Sequence, residues 1–449
     1  MKEKSLRVAF LSEHASPLAL LGGLDAGGQN VYVDEVSRNL GQLGYSVDIF
    51  TRRDDAAAPE VVPLDNGVRV VHLAAGQAHF IPKDDIWPHM PTFRDELLRF
   101  MLRDGARYDV LHGNFWMSGW AAADLQRRLG VPAVQIFHAM GKTKQRHQGA
   151  ADTSPGDRID VELGIVRDVE RIIAQCPAER AELVDDYDAA PGRVVIIPSA
   201  VNIEQFTPSP RDDARRRIGV EHDGRLVVYV GRMLPRKDVR NIVRAVAQLT
   251  DPELADVRLM VVGGETHDPD LQATPELGAL QRLAAELGVS DRLIFVGKRQ
   301  PSELRHYYAA GDVVVTTPWY EPFGLTPLEA MACGRPVIGS AVGGITFTIK
   351  DGATGLLVPP RDPEALAGAL RTILSQQGLR EHMGRAARAR VEREFTWRTV
   401  ARRTAALYES LAQATDDRPQ ATDQILAGHA KAAGAARSSV VGRRSSAGE

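Results

Sequence analysis

The sequence predicts an α/β protein of two Rossmann-like domains that face each other across a cleft. Apolar strands alternate with amphipathic helices from Leu6 onward, and the same alternation restarts near residue 225. A glycine-rich loop, residues 22–28, follows the first strand and opens a helix. In the second half, Glu321 and Glu329 stand eight positions apart around a predicted helix start. Since open α/β sheets bind ligands beyond the carboxyl ends of their strands, both domains are expected to bind ligands at that edge.

The predicted strands of the first half are short apolar runs between turn residues, and a helix is predicted over 30–41. These strands are 6–11, 46–51, 68–73, 110–112, 133–138 and 194–198. The strands of the second half are 226–231, 258–263, 293–297, 313–317 and 336–339. We therefore expect an N-terminal domain over 1–200 and a C-terminal domain over 225–394. Residues 201–224 are rich in Pro, Asp and Arg and predict a linker.

The composition excludes several classes of protein. The net charge of −3 gives no overall attraction to nucleic acid, and 44% hydrophobic residues permit large cores. Two cysteines, Cys176 and Cys333, give no disulfide framework and suit a reducing compartment. Apolar runs are too short for a membrane span or a signal peptide, so a cytoplasmic protein without an integral membrane segment is expected. Residues 416–449, rich in Ala, Gly, Ser and Arg, predict a disordered tail.

The segment around the two glutamates predicts a pocket for a sugar nucleotide. Thr326 and Pro327 suit the first turn of a helix, whose unpaired N–H groups attract phosphate. Glu321 and Glu329 flank that position and can accept hydrogen bonds from sugar hydroxyls. Glutamates near a helix start are also common on solvated surfaces. Here the neighbouring apolar residues, such as Leu328, predict a buried helix, where a carboxylate without a partner is costly.

Four further positions are candidates for the same chemistry. Arg232 and Lys237 follow the strand 226–231, where a guanidinium can hold a diphosphate in two places and an ammonium adds a point charge. His138 ends a predicted strand on the side expected to face the cleft. Gly28 lets the first loop approach a phosphate closely. Each of these alone is also compatible with a structural or solvated residue.

Together these motifs resemble retaining glycosyltransferases of family four, which have the two-domain GT-B fold. Glu321 and Glu329 match that family's E-x7-E motif, and Gly231-Arg232 with Lys237 matches its phosphate-binding cations. The resemblance covers residues 6–411. It implies transfer of glucose or N-acetylglucosamine from a UDP-sugar to a small-molecule acceptor, without a metal cofactor. It also implies that residues 395–415 form a helix crossing back to the first domain.

The resemblance assigns roles to the candidate residues. It implies that His138 contacts the transferring sugar and that Arg232, Lys237 and Glu321 act in catalysis. The donor is expected to contact Gly28, Arg232, Lys237, Val296, Phe323, Gly324, Leu325, Thr326 and Glu329. The acceptor is expected to contact His14, Asp25, Asn30, Lys83 and Arg158. No suitably placed carboxylate nucleophile is evident in the sequence. The resemblance therefore implies that the acceptor hydroxyl attacks the same face of the sugar from which the phosphate departs.

The chain resembles two subgroups of the family, which use different acceptors. Residues 14–19 and 25–33 resemble the inositol-phosphate N-acetylglucosaminyltransferases of mycothiol synthesis. Residues 27–29, 138–142 and 321–326 also resemble sucrose-phosphate synthase and sucrose synthase. The inositol-phosphate enzymes carry Tyr and Thr where this chain has Phe115 and Ala139, so two acceptor-side hydroxyls are missing. The overall balance favours the inositol-phosphate group slightly.

The sequence leaves open whether the protein is a monomer or a homodimer. Two other classes of protein remain as alternatives to a glycosyltransferase. Thr51-Arg52-Arg53 after the second strand would suit the 2′-phosphate of NADP in an oxidoreductase. That alternative leaves the paired glutamates unexplained, and the first loop lacks the dinucleotide fingerprint. A sugar-nucleotide sensor without turnover is the second alternative. The complete set of Arg, Lys, His and paired Glu argues against it.

Overall fold

The computed structural model of the chain describes residues 6–19 and 27–416 and divides into two compact units. Unit 1 contains the chain up to Ala174, then Glu182–Val195, and the chain from Ala401 onward. Unit 2 contains Gln175–Ala181 and Ile196–Val400. Asp25, most of the predicted loop 22–28 and the predicted tail lie outside the described residues. No helix among the described residues is both long and apolar enough to cross a membrane.

Unit 1 is built on an eight-stranded sheet in the order β3-β4-β2-β1-β5-β6-β7-β8. Its strands are β1 (Arg7–Leu11), β2 (Ser46–Arg52), β3 (Val61–Pro63), β4 (Val68–Leu73), β5 (Val110–Asn114), β6 (Ala133–Ile136), β7 (Arg171–Ala174) and β8 (Val194–Ile196). The pairs from β4 across to β7 are parallel, and β3 joins β4 antiparallel at the edge. The carboxyl ends of β1, β5 and β6 therefore meet at one edge of the sheet.

The helices that follow these strands are α1 (Gly28–Gln42), α2 (Met90–Asp104), α3 (Trp116–Leu129), α4 (Gly141–Gln148), α5 (Arg158–Asp168) and α6 (Pro177–Asp185), which spans the boundary of the two units. Helices α2, α3, α5 and α6 contribute buried apolar side chains to the core on this sheet. The strands between the two edge strands are buried on both faces, as β1 shows with four of its five residues fully buried. Such apolar strands are typical of a parallel sheet covered by helices.

Unit 2 is built on a six-stranded sheet, parallel throughout, in the order β11-β10-β9-β12-β13-β14. Its strands are β9 (Leu226–Val230), β10 (Arg258–Val262), β11 (Leu293–Gly297), β12 (Val313–Thr316), β13 (Val337–Ser340) and β14 (Gly355–Val358). Its helices are α7 (Arg211–Arg217), α8 (Val239–Ala247), α9 (Pro275–Glu286), α10 (Leu304–Ala310), α11 (Leu325–Ala332), α12 (Ile345–Thr348), α13 (Pro363–Ser375) and α14 (Gln377–Glu394). A last helix, α15 (Trp397–Asp416), begins in unit 2 and ends in unit 1.

The prediction of two parallel, Rossmann-like sheets is confirmed, whereas several details differ from the sequence pattern. The strands β3, β7 and β14 are short and were not predicted. Strand β6 ends at Ile136, so His138 lies two residues beyond it in a turn. Residues 196–224, which include the predicted linker 201–224, belong to unit 2 and contain α7. Helix α7 is stabilised by acidic residues in its first turn and by Arg215, which donates to Asp312 at 3.0 Å.

Candidate active site

Unit 2 brings together the two motifs that the sequence separates by more than eighty residues. Lys237 ends a 3-10 turn after β9, and Glu321 lies in the loop after β12. Because β9 and β12 are neighbours in the parallel sheet, both loops lie at its carboxyl edge. Lys237 Nζ lies 2.5 Å from Glu321 Oε2, and both side chains are partly buried. Arg232 lies in the same loop as Lys237 and is exposed.

A third cation in this loop, Arg236, was not singled out by sequence reasoning. Its guanidinium lies over the ring of Tyr320, 5.1 Å from the centroid. The backbone N–H of Trp319 donates to the Arg236 carbonyl at 2.9 Å. Arg236 and Tyr320 thus pack beside the Lys237–Glu321 pair and hold the two loops together. The available signal was the position of Arg236 immediately before Lys237.

The loop that carries Glu321 leads directly into helix α11. Gly324 precedes the helix with φ of +90°, a conformation that favours glycine, and leaves the first N–H groups of the helix without intrahelical partners. Gly344 donates its N–H to the Glu321 carbonyl at 3.0 Å. A Cβ at Gly343 would lie 2.1 Å from that carbonyl oxygen, so only glycine permits this approach. The backbone around Glu321 is therefore held from both sides.

The second motif glutamate, Glu329, lies on α11 and contacts α10. The hydroxyl of Tyr308 donates to Glu329 Oε2 at 2.6 Å. Burial raises the pKa of Glu329 to about 7, although the Tyr308 hydrogen bond lowers it. Glu329 therefore changes its charge near neutral pH, unlike an exposed glutamate. The prediction that it holds a ribose through its carboxylate depends on this balance.

Three other predicted donor contacts have apolar side chains in the core of unit 2. Phe323 is buried and contacts Phe395, with ring centroids 6.4 Å apart. Val296 and Leu325 pack partly buried against the same cluster. Their side chains therefore serve packing, and their backbone groups are what a donor could contact. Thr326 lies in the first turn of α11, partly buried.

In unit 1, the turn after β6 carries His138 in a left-handed conformation with φ of +59°. His138 Nε2 lies 3.2 Å from Asn114 Oδ1. The Asn114 amide nitrogen donates to the Leu11 carbonyl at 3.3 Å, so Oδ1 accepts and His138 Nε2 carries the proton. Burial, together with smaller contributions from the nearby His112 and His14, lowers the pKa of His138 to about 3. His138 is therefore neutral, and Nδ1 is the acceptor nitrogen of its ring.

A second histidine at this edge, His112, was not predicted. It lies on β5, is fully buried, and its Nδ1 contacts the hydroxyl of Tyr408 on α15. Burial also lowers the pKa of His112 to about 3. Tyr32 packs edge-on against both His112 and His138. No local signal reveals this group, since its members come from four separate elements.

His14 and Phe115 lie together at the ends of β1 and β5. His14 Nδ1 lies 2.6 Å from Oε1 of the buried Glu13, and its ring meets Phe115 with centroids 5.0 Å apart. Phe115 has φ of +75°, a rare conformation for a bulky residue that is often associated with functional sites. The Arg158 guanidinium lies 5.1 Å from the Phe115 ring centroid. Phe115 therefore stands between two of the predicted acceptor-binding residues.

Asn30 is a buried residue in the first turn of α1, which begins at Gly28. Its Oδ1 accepts from the Gly27 N–H at 3.0 Å, and its Nδ2 donates to the Ser16 carbonyl at 3.0 Å. Both ends of the amide thus shape the loop around the helix start. Contact between Asn30 and an acceptor stays a prediction, as does contact between Gly28 and the donor.

Arg158 is buried and is held by hydrogen bonds on three of its nitrogens. It donates to Glu162 Oε1 at 2.8 Å, to Ser154 Oγ at 3.1 Å and to the Ala139 carbonyl at 2.7 Å. Glu162 also accepts from the Gly141 N–H at 2.9 Å. Arg158 therefore supports the turn that carries His138, because it donates to the Ala139 carbonyl within that turn.

Lys83 lies in a 3-10 turn over Lys83–Asp85 that reaches the Arg158 region. Asp84 in this turn accepts from Thr153 Oγ1 at 2.6 Å. Lys144 lies 2.9 Å from Asp152 and also donates to Ser154. Lys144 and Arg158 thus both contact the 152–154 loop, and Asp84 links this loop to the turn of Lys83. The roles of His14, Lys83 and Arg158 in binding an acceptor stay predictions.

Two protein-family models match the chain. "Glycosyltransferase Family 4" matches residues 26–205, and "Glycosyl transferases group 1" matches residues 210–390. The D-inositol 3-phosphate glycosyltransferase of Geodermatophilus obscurus is 37% identical over 91% of this chain and 90% of its own length. The enzyme of the same name from Kineococcus radiotolerans is 38% identical over 91% of this chain and 96% of its own length.

Solved structures agree with these relatives in fold. Sucrose-phosphate synthase from Thermosynechococcus elongatus is 34% identical and has a TM-score of 0.79 over 91% of this chain and all of its own. Anabaena HepE in complex with UDP is 19% identical, with a TM-score of 0.70 over 90% of this chain and all of its own. At that identity, HepE shows the fold alone.

Proposed function

The chain belongs to glycosyltransferase family 4, and on that premise we propose that it moves glucose or N-acetylglucosamine from a UDP-sugar to a hydroxyl of a small phosphorylated polyol or sugar. The contact between Lys237 and Glu321 at the carboxyl edge of the unit 2 sheet carries this proposal. It holds a phosphate-binding cation and a sugar-binding carboxylate side by side. That is the arrangement a donor needs where its phosphate joins its sugar.

The chemistry expected of unit 2 is stabilisation of the departing UDP. As the glycosidic bond breaks, negative charge develops on the diphosphate. Arg232, Lys237 and the free N–H groups at the start of α11 are preorganised donors for that charge. Glu321 orients the sugar hydroxyls, and Glu329 in its ionised form accepts hydrogen bonds from the ribose. The anomeric centre passes through an oxocarbenium-like state, as in glycoside hydrolysis.

The chemistry expected of unit 1 concerns the transferring sugar and the acceptor. Because its pKa is lowered to about 3, His138 is neutral at neutral pH and cannot act there as a cationic acid. Its Nδ1 can instead accept a hydrogen bond from a sugar hydroxyl. A neutral hydrogen-bond acceptor suits positioning of the sugar. Same-face attack by the acceptor hydroxyl, assisted by the leaving phosphate, retains the anomeric configuration. No carboxylate nucleophile is assigned to this step.

The acceptor is proposed to carry a phosphate group. Arg158 and Lys144 both donate to Ser154 in one loop of unit 1, and phosphate is the natural partner of a guanidinium. The curated relatives, named for D-inositol 3-phosphate, favour an inositol phosphate. A second candidate is a sucrose-phosphate synthase activity. The missing hydroxyls at Phe115 and Ala139 favour it, as does the 34% identity to that enzyme.

A donor-by-acceptor screen read by mass spectrometry tests the proposal. UDP-glucose and UDP-N-acetylglucosamine are each offered with inositol phosphates and with fructose 6-phosphate. Formation of a glycosylated phosphate ester supports the proposal, and product from fructose 6-phosphate alone selects the second candidate. Lys237→Ala is expected to abolish transfer, whereas Arg244→Ala, which removes an exposed cation on α8, retains it. Cytoplasmic location and pairing of two copies stay predictions.

A further inference from the structure

A polar groove of about 860 Å³ lies on unit 2 and is lined by the end of α7, the start of α10 and the loops after β10 and β11. Four guanidinium groups line it, those of Arg216, Arg217, Arg299 and Arg305. Its volume is within the range of small-molecule sites. Its lining of charged and polar side chains is unsuited to an apolar ligand.

The positive charge of this arginine groove is only partly neutralised. Arg216 contacts the carboxylate of Asp213, and Arg299 donates to the Tyr307 hydroxyl at 2.7 Å. Among the described residues, neither Arg217 nor Arg305 forms an ion pair. The one acidic side chain that remains, Glu303, accepts from the Gln300 N–H at 2.9 Å. The groove therefore holds more cations than its own carboxylates balance.

The excess positive charge of the groove affects the protonation of His306. Arg305 Nε lies 3.3 Å from His306 Nε2, and it can only donate, so the ring accepts and is neutral. Burial, Arg305 and Arg217 all lower the pKa of His306, and Glu303 only partly opposes them. Arg217 and Arg305, from two different helices, therefore act on the same imidazole. Such a pair of guanidinium groups suits a ligand with at least two negative charges.

Helix α10 connects this groove to the candidate donor site. Arg305 and His306 lie in its first turn, and Tyr308, two residues later, donates to Glu329. The Cys333 thiol at the end of α11 also contacts the Arg305 carbonyl at 3.8 Å. A charge placed beside Arg305 therefore acts close to the Tyr308 hydroxyl, which donates to Glu329.

We propose that the arginine groove is a second anion site, separate from Arg232 and Lys237, which binds a phosphate-bearing metabolite and weakens donor binding through α10. A negative charge near the start of α10 disfavours ionisation of Glu329, which is the form that accepts from a ribose. The coupling rests on the proposed donor site, whereas anion binding at the groove does not. Anion binding at the groove and its effect on donor binding can therefore be refuted independently of each other.

Calorimetry on the full chain with inorganic pyrophosphate as the probe tests anion binding. Saturating UDP is present, so that the candidate donor site is occupied. We expect one equivalent of pyrophosphate to bind, and Arg217→Ala with Arg305→Ala to weaken it by about tenfold or more. Arg244→Ala is the matched control and leaves binding unchanged. If the double variant does not fold, the exposed Arg217→Glu gives the same test alone.

Three results would overturn the inference. Absence of pyrophosphate binding in the presence of UDP would show that only one anion site exists. Binding that survives loss of Arg217 and Arg305 would place the site elsewhere. For the coupling, saturating pyrophosphate is expected to weaken UDP binding about fivefold or more. Equal UDP affinities with and without pyrophosphate would refute that part, while a failure of UDP to bind at all would refute the proposed donor site instead.

Discussion

Tyr308→Phe is the substitution that most directly tests how unit 2 controls the charge of Glu329. The wild-type hydroxyl donates to the carboxylate at 2.6 Å and favours its ionised form. Burial opposes ionisation and sets the pKa near 7. Removing one hydroxyl deletes the favourable contribution and leaves the burial cost in place. The pKa of Glu329 is therefore expected to rise in the variant.

The size of the rise follows from the strength of the lost hydrogen bond. A hydrogen bond to a charged group contributes about 1.5–3 kcal/mol. One pKa unit corresponds to about 1.4 kcal/mol, so the expected rise is about one to two units. Glu329, half ionised near pH 7 in the wild type, becomes mostly protonated there in the variant. Since the ionised form is the one proposed to accept hydrogen bonds from the ribose, UDP affinity at pH 7 should fall.

The assay is calorimetric UDP binding measured between pH 6 and pH 9. Affinity should rise with pH in both proteins, because deprotonation of Glu329 creates the form that is proposed to bind the ribose. The midpoint of that rise is expected near pH 7 for the wild type. For Tyr308→Phe it should move upward by about one to two units. At high pH the two affinities should converge, which a purely structural defect would not produce.

The neighbouring residue on α10 provides the control. Tyr307 also carries a hydroxyl, but it accepts from Arg299 and does not contact Glu329. Tyr307→Phe should therefore leave the pH midpoint where it is in the wild type. An unshifted midpoint in Tyr308→Phe, or an equal shift in both variants, would refute the reasoning.

The remaining predictions concern the other contacts of the two units. Glu321→Ala should abolish transfer while circular dichroism and the thermal midpoint stay close to wild type; full transfer activity would contradict its role. Tyr408→Phe leaves the buried His112 without its hydroxyl partner and should lower the free energy of unfolding by about 1–3 kcal/mol in urea titrations. An unchanged value would show that this contact contributes nothing to stability. Phe115→Tyr with Ala139→Thr should raise the activity ratio of inositol phosphate to fructose 6-phosphate in the mass-resolved assay, and a lower ratio would count against the assigned acceptor region.

Much of the fold follows from local patterns in the chain. The strand-helix alternation predicted both parallel sheets, because fully buried strands need continuous apolar runs whatever their partners are. It missed β3, β7 and β14, which are only three or four residues long and carry little periodicity. The segment 201–224 looked like a linker by composition. Its helix α7 depends on Arg215 reaching Asp312, a contact that composition does not reveal.

In the candidate site, too, the sequence predicted some features and only the tertiary structure decided others. Residue types and spacing were enough to single out Lys237 and Glu321, because a phosphate-binding cation and a sugar-binding carboxylate are chemical requirements readable from the chain. The tertiary structure alone decided which groups they meet and in what charge state. His112 and Tyr408 touch although 296 positions separate them. The neutral His138 results from burial, and a pKa is set by the surroundings that folding creates, not by the residue itself.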